Sequence, residues 1–339
     1  MQDQKIDFVI PWVDDSDPIW REDKNKYWNE ANGKEWFDGN SSARFRDWDN
    51  LRYWFRGVEK FAPWVNCIYF VTYGHLPKWL NINHPKLRII KHEDYIPKKY
   101  LPVFSANPIE INFHRIPNLG EQFVYFNDDM FIINDMQPED FFVDGKPREI
   151  AALYPLTNDG KNDTFPHMLL TMTGLINDKF SKKEVIKKNF GKWFSPCYGK
   201  FLLGNLLMYR YVAVSGLIIP HLPSALKKST MEEVWSHYEN RLWEVTSHRF
   251  RDASDITQYF FRYWTIMSGE FVPTNIFKYG AEFFVTSKDI DILLNAIDSQ
   301  KYKMICINDS TELDEFESVK KQVNAHFDKI LGNKSAFEL

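Results

Sequence analysis

Cysteine is scarce in this chain: Cys67, Cys197 and Cys306 are the only three in 339 residues, and they lie far apart. An odd, scattered set excludes a disulfide framework and a paired-cysteine zinc site, and it fits a reducing cytosol. An excess of positive charge is also missing. The formal charge of −4 and the pI near 6.2 argue against a general polyanion binder, so nucleic acid is not an expected partner. Internal repeats and low-complexity linkers are absent, which points to one unit over 1–339 rather than an array. Clean, long apolar runs are lacking too. The nearest, Phe201 to Ile219, is interrupted by Gly204 and Gly216 and carries Asn205 and Arg210. A central arginine alone costs ~2.5–3.5 kcal/mol on insertion. A buried helix followed by a strand or loop is expected there, with monotopic contact with a membrane left open. No signal peptide is visible, since a polar leader runs directly into strand-like sequence at Ile6, so a cytoplasmic protein is expected.

What is abundant is aromatic. Phe, Tyr and Trp make up 17% of the chain, with twelve Trp, enough to fill a core and leave rings over for stacking on sugar faces. The pattern up to about residue 135 alternates strands and helices. Ile6–Val13, Ile68–Thr72, Leu87–Lys91 and Phe123–Phe126 read as buried strands; Ile19–Asn29, Asp47–Phe61 and Pro108–Arg115 read as helices. That order predicts an α/β fold with a mostly parallel sheet and helical crossovers. Later helices are expected at Ser181–Trp193, Ser224–Glu244, Asp255–Met267 and Ile290–Ser299, with a short strand at Lys303–Ile307.

Chemistry is suggested where apolar strands stop. Phe123–Phe126 ends at Asn127, Asp128 and Asp129 before the apolar Met130–Ile133. Adjacent carboxylates repel, so they must be solvated, paired or metal-bound. Taken alone they fit a helix cap and a solvent-facing side chain as well as a metal site. Trp12 and Asp14 follow the first strand, where an α/β fold commonly cradles a nucleotide, although the same residues suit a capping turn. Arg44 and Arg46 could hold phosphate bidentately. His221 stands between Pro220 and Leu222–Pro223, in a loop that the prolines keep from becoming helix, and its titration range suits a general base. Arg251, Asp255 and Asp309 complete the set, the last as a further hard oxygen ligand. Glu110 and His114, four apart, lack the second histidine of a zinc helix and are set aside.

Together these segments resemble the Stealth family of sugar-phosphate transferases. Four regions carry the likeness: Ile6–Pro18 (IDFVIPWVDDSDP); Arg44 to Ile133, through RFRDWDNLRYWFRGVEKFAPWVNCIYFVT, LPVFSANPIEINFHRIPNL and YFNDDMF; Pro220–Trp264, with HLP and RFRDASDIT; and Lys303–Ser310 (KMICINDS). Asp15 replaces the usual Gly of the first region, and Asn50 stands where Glu is frequent. The resemblance implies a Rossmann-like, glycosyltransferase-like fold, with 1–150 as a nucleotide-sugar-binding half and 151–339 as a mainly helical half completing one catalytic unit. It implies transfer of hexose-1-phosphate from a UDP-hexose to a hydroxyl of a glycan or lipid-linked glycan, with UMP released and Mg²⁺ or Mn²⁺ as cofactor. In that setting His221, Asp128, Asp129 and Arg251 are catalytic. Trp12, Asp14, Arg44, Arg46, Asn107 and Asp255 contact substrate, and Asp129 and Asp309 hold the metal. A cytoplasmic protein touching the inner membrane face is the expected placement. The rivals are a metal-dependent glycosyltransferase, which would release UDP, and a non-catalytic glycan-binding module.

Overall fold

The central sheet runs in the order Leu87–Lys91, Ile68–Thr72, Ile6–Trp12, Gln122–Tyr125 and Ser224–Lys227, and its first four strands are parallel. This computed structural model describes residues 5–30, 47–158, 164–286, 290–309, 313 and 315–339. Strand β1 (Ile6–Trp12) lies between β2 (Ile68–Thr72) and β4 (Gln122–Tyr125), and β3 (Leu87–Lys91) forms the edge beyond β2. Strands β1, β2 and β4 are buried on both faces, as parallel strands covered by helices must be, and they are built largely from β-branched and aromatic residues, while the edge strand β3 exposes Arg88 and Lys91. Side-chain alternation divides the interior. Ile6, Phe8 and Ile10 point into one core while Val9, Phe123 and Tyr125 point into another on the opposite face.

Helix α1 (Pro18–Glu30) follows the first strand, and α2 (Leu51–Phe61) packs its apolar face into the first core. Gly57 allows that helix to approach closely, because a Cβ there would sit 2.4 Å from the carbonyl of Ile132. The short α3 (Ala106–Glu110) is capped by Ser105, whose hydroxyl accepts from the Asn107 N–H at 3.4 Å. The helix predicted over Pro108–Arg115 therefore starts earlier and gives way to a 3₁₀ turn at Phe113–Arg115. After β4 the chain turns through Asn127–Asp129 into β5 (Met130–Ile132). A hairpin follows, of β6 (Phe142–Val143) and β7 (Lys146–Glu149).

The second half covers the opposite face with α4 (Thr164–Lys179), α5 (Lys182–Lys188), α6 (Phe190–Trp193) and α7 (Leu202–Met208). The single helix predicted over Ser181–Trp193 is broken at Asn189. The helix predicted from Ser224 begins only at Lys228. Ser224–Lys227 is β8, added antiparallel to β4, and sheet pairing overrides local helical preference for four residues. Helix α8 (Lys228–Thr246) and α9 (Tyr259–Ser268) then pack on the sheet. Next comes β9 (Val272–Pro273), beside β7. Strand β10 (Gly280–Phe284), α10 (Ile290–Ser299), β11 (Met304–Asn308) and α11 (Phe316–Leu331) close the first core. Here β11 pairs antiparallel with β5 and parallel with β10, forming a second sheet.

Candidate active site

In an open α/β sheet, ligands bind beyond the carboxyl ends of strands, where the strand order reverses. Here the chain runs outward from β1 through β2 to β3 on one side and to β4 on the other, so the reversal falls between β1 and β4. The residues leaving β4 at that point are Asn127, Asp128 and Asp129. Two strand pairings bring distant residues to them. Because Ser224 pairs with Tyr125, the loop three residues upstream places His221 over the turn. Because Cys306 pairs with Met130 and with Glu282, the second sheet supplies Cys306 and Glu282 from below. The Asp129 carbonyl accepts from the Ile307 N–H at 2.8 Å and pins the two sheets together.

The histidine is held on every side. His221 Nε2 lies 3.4 Å from Asp129 Oδ2 and 3.3 Å from Asn127 Nδ2, and Nδ1 lies 2.7 Å from the Tyr259 hydroxyl. Its own N–H donates to Glu282 Oε2 at 3.3 Å. Burial alone would lower its pKa, but the Asp129 carboxylate, with Glu282 and Glu110 behind it, raises it above the ordinary value. Asn127 is oriented by Tyr125, whose hydroxyl contacts both Asn127 Oδ1 and Glu110 Oε2, the latter at 2.8 Å. With Oδ1 turned to Tyr125, Nδ2 faces the histidine, so Nε2 accepts and the neutral ring carries its proton on Nδ1, towards Tyr259.

Three carboxyls here are pushed upward. Burial is the main cause at Glu110, which rises to about 7, and its Oε1 accepts from the Gln258 N–H at 2.8 Å. Asp128 also rises to about 7, from crowding by protein and from the neighbouring Asp129 charge. Its side chain faces solvent, so water moderates that push without reversing it. Glu282 is raised by burial. Asp129 Oδ1 is buried without a hydrogen-bond partner, while the Cys306 thiol lies close beside it. Asp129, His221 and Cys306 bring ligand atoms within 4.8 Å of one another. The orphaned oxygen and the nearby Glu282 suit a hard divalent cation. The thiol suits it poorly, since burial and then the carboxylates push its pKa well up and keep it protonated.

Asp309 follows directly after β11, three residues beyond Cys306. Arg251 is half-buried and close enough to Glu110 to favour its charge. Asp255 is fully buried: it accepts from Asn107 Nδ2 at 2.7 Å and from the Asp252 N–H at 3.0 Å, and it meets His248 Nδ1 at 2.6 Å. That knot shapes the loop presenting Arg251. Trp12 packs on Phe70 and His75, and the Asp14 N–H donates to His75 Nε2 at 2.8 Å. Arg44 and Arg46 lie outside the described residues. Sequence reasoning set Glu110 aside and passed over Tyr125, Asn127, Tyr259 and Glu282. Asn127 stood in the motif it quoted, whereas Glu282 gives no local signal. A surface cavity of about 500 Å³, lined by Arg56, Lys60 and Asp328 among others, and one of about 350 Å³, lined by Asp23, Tyr27, Tyr73 and His92 among others, both lie away from these groups.

The chain matches Stealth protein conserved region 1 at residues 4–30, conserved region 2 at 44–149 and conserved region 3 at 220–266. It is 40% identical over 336 residues to a capsular polysaccharide phosphotransferase WcwK of Streptococcus pneumoniae, covering 99% of this chain and 98% of that one. This chain belongs to the Stealth family. A second relative of this Stealth chain, the receptor polysaccharide phosphotransferase WefC of Streptococcus gordonii, is 42% identical over 340 residues, with 99% of both chains covered. The exopolysaccharide phosphotransferase cps2G of Lactiplantibacillus plantarum is 36% identical over 339 residues, covering 98% of this chain and 96% of its own. Among solved structures, the WbbM bifunctional glycosyltransferase aligns over 97% of this chain and 52% of its own, with TM-score 0.37 and 9% identity. That likeness is too remote to carry weight, and the α/β assignment of this Stealth chain rests on its own parallel sheet and strand order.

Proposed function

We propose that this chain is a polysaccharide phosphotransferase that moves hexose-1-phosphate from a UDP-hexose to a hydroxyl of a glycan or lipid-linked glycan, at the cytoplasmic face of the membrane. The observation that carries the reading is His221 held 3.4 Å from Asp129 beside Asp128, at the strand-order reversal. Full-length similarity to relatives named as capsular, receptor and exopolysaccharide phosphotransferases supports the reaction class.

In the step, the acceptor oxygen attacks the donor's β-phosphorus. The bond from that phosphorus to the bridging oxygen breaks, UMP departs with the electron pair, and a phosphodiester remains. His221 Nε2 takes the acceptor proton, and the imidazolium formed is stabilised by Asp129 on one side while Tyr259 fixes the other nitrogen. Arg251 sits on the loop held by the Asp255 knot, where it would meet the charge building on phosphoryl oxygens. Arg44 and Arg46 would share that task, and Trp12 and Asp14, at the end of β1, would face the nucleotide. Asp129, with Asp309 just beyond β11 and Glu282 near, would hold Mg²⁺ or Mn²⁺, which would supply charge neutralisation at the diphosphate.

The test is ³¹P NMR of the purified protein with UDP-hexoses, Mg²⁺ and a glycan acceptor. UMP with a new phosphodiester resonance is expected; UDP without a phosphodiester would mean attack at the anomeric carbon, as in a glycosyltransferase. His221→Asn and Asp129→Asn should each lower turnover by roughly 10²–10⁴-fold with the thermal melt intact. Wild-type turnover in a folded His221→Asn protein would remove the histidine as base.

A further inference from the structure

The segment expected as a buried helix exposes much of its apolar surface. Among the described residues, Leu203, Leu206 and Leu207 on α7 are 60%, 62% and 67% exposed, and Tyr211 and Val212 just beyond are 66% and 94% exposed. Phe190, 58% exposed, joins them through Phe194 and Tyr209, whose rings are 6.2 Å apart. This helix is inverted relative to an ordinary surface helix. Its inward side is Asn205, fully buried, which accepts from the Leu153 N–H at 2.7 Å and donates to the carbonyls of Ala151 and Trp193 at 2.7 and 2.6 Å. Gly204 completes the clamp, since a Cβ there would fall 2.4 Å from the Leu153 carbonyl. A polar residue and a glycine hold the backbone down, and the leucines are turned out.

Charge says what would cover them. From Ser181 to Ile219 the chain carries seven basic residues, six lysines and Arg210, against Glu184 alone, within a protein whose net charge is −4. Lys183, Lys187, Lys188, Lys200 and Arg210 are exposed. Exposed leucines and tyrosines bordered by lysines are what an anionic bilayer surface takes up: apolar side chains enter the headgroup boundary and the ammonium groups stay with lipid phosphates. No helix among the described residues is long and apolar enough to cross a membrane, so the contact is interfacial. We infer that α7 and the following turn dock this protein onto an anionic lipid bilayer, with α5, Lys200 and Arg210 supplying the basic border. The inference concerns binding alone and stands apart from the transfer chemistry.

Vesicle flotation tests it without any substrate. Wild-type protein should float with vesicles of equal parts phosphatidylcholine and phosphatidylglycerol, weakly with phosphatidylcholine alone, and less as salt is raised. A Leu206→Ser/Leu207→Ser variant should lose about tenfold or more in partitioning, since each leucine withdraws apolar area from the boundary. Its circular dichroism melt should match the wild type because neither side chain is buried. Failure of the wild type to float, or equal flotation of the variant, would overturn the inference. So would wild-type self-association in solution that this variant abolishes, which would make a second copy the occupant.

Discussion

His92 and His114 are buried histidines with nothing to welcome a proton. Burial lowers His92 to about 4 and His114 to about 3, the latter with help from Arg115 and Lys228, against an ordinary value near 6.5. Their Nδ1 atoms have no hydrogen-bond partner, and His114 lies against Trp235 at 5.2 Å. In the window between 6.5 and these lowered values the unfolded chain binds protons that the folded chain refuses. Stability present at neutral pH is therefore lost as pH falls below 6.5, by about 1.4 kcal/mol per pH unit for each histidine. Glu110 acts with the opposite sign: raised to about 7, it favours the fold below its ordinary value near 4.5 and loses that contribution as pH rises through 7. Urea melts from pH 7 to pH 4 should show His114→Leu with a shallower acid loss than wild type, and parallel curves would discard the assignment. At this scale the sequence disclosed more than expected. Asp128 and Asp129 were readable because two adjacent carboxylates between apolar segments demand an explanation. Glu282 was not, because its place beside His221 exists only through the pairing of β10 with β11 and β11 with β5.

Arg262 on α9 ties three elements together. It is 2% exposed and grips Glu149 of β7 through Nε and Nη2 at 2.7 and 2.8 Å. Its Nη1 donates to the Pro220 carbonyl and the Ser224 hydroxyl, both at 3.3 Å. The guanidinium is thus the peg on which the loop carrying His221 hangs. Glu149→Leu should cost about 3–5 kcal/mol in urea melts by leaving that charge buried and unpaired. The double variant with Arg262→Met should regain part of this stability but not the turnover in the ³¹P assay, since the Pro220 carbonyl stays unanchored. Full recovery of both would show the ion pair to be a packing device only. Elements with clear periodicity, such as α2, β2, β3 and α10, were legible from residue pattern. Those decided by a partner were not: Ser224–Lys227 looked helical and is held as a strand by the edge of β4, and Leu202–Met208 looked like core because apolar content was taken for burial.

Across the whole molecule, the last residues complete the core begun by the first. Phe337, 2% exposed, packs on Phe55 at 5.3 Å and under His84 at 3.8 Å. Glu338 meets Arg56 at 2.7 and 2.8 Å, and the backbone of Phe337 and Leu339 bonds to Asn81 and Trp79 at 2.8 Å. Helix α11 lies on α2 and α10 in the same core, while β8 and β11 from the second half flank the turn that carries the carboxylates. Residues 1–150 and 151–339, expected from the sequence as a nucleotide-sugar-binding half and a mainly helical half, are therefore interleaved in space. If the interleaving governs folding, the halves cannot unfold separately. Far-UV dichroism and tryptophan fluorescence should then give one coincident urea transition. Phe337→Ala should shift that transition to lower denaturant by about 3–5 kcal/mol without splitting it, because the cavity opens beneath β2 and α2 yet weakens the whole. Two separated transitions, or a loss confined to one probe, would mean that residues 1–150 form a unit of their own and that the C-terminal residues merely cover it.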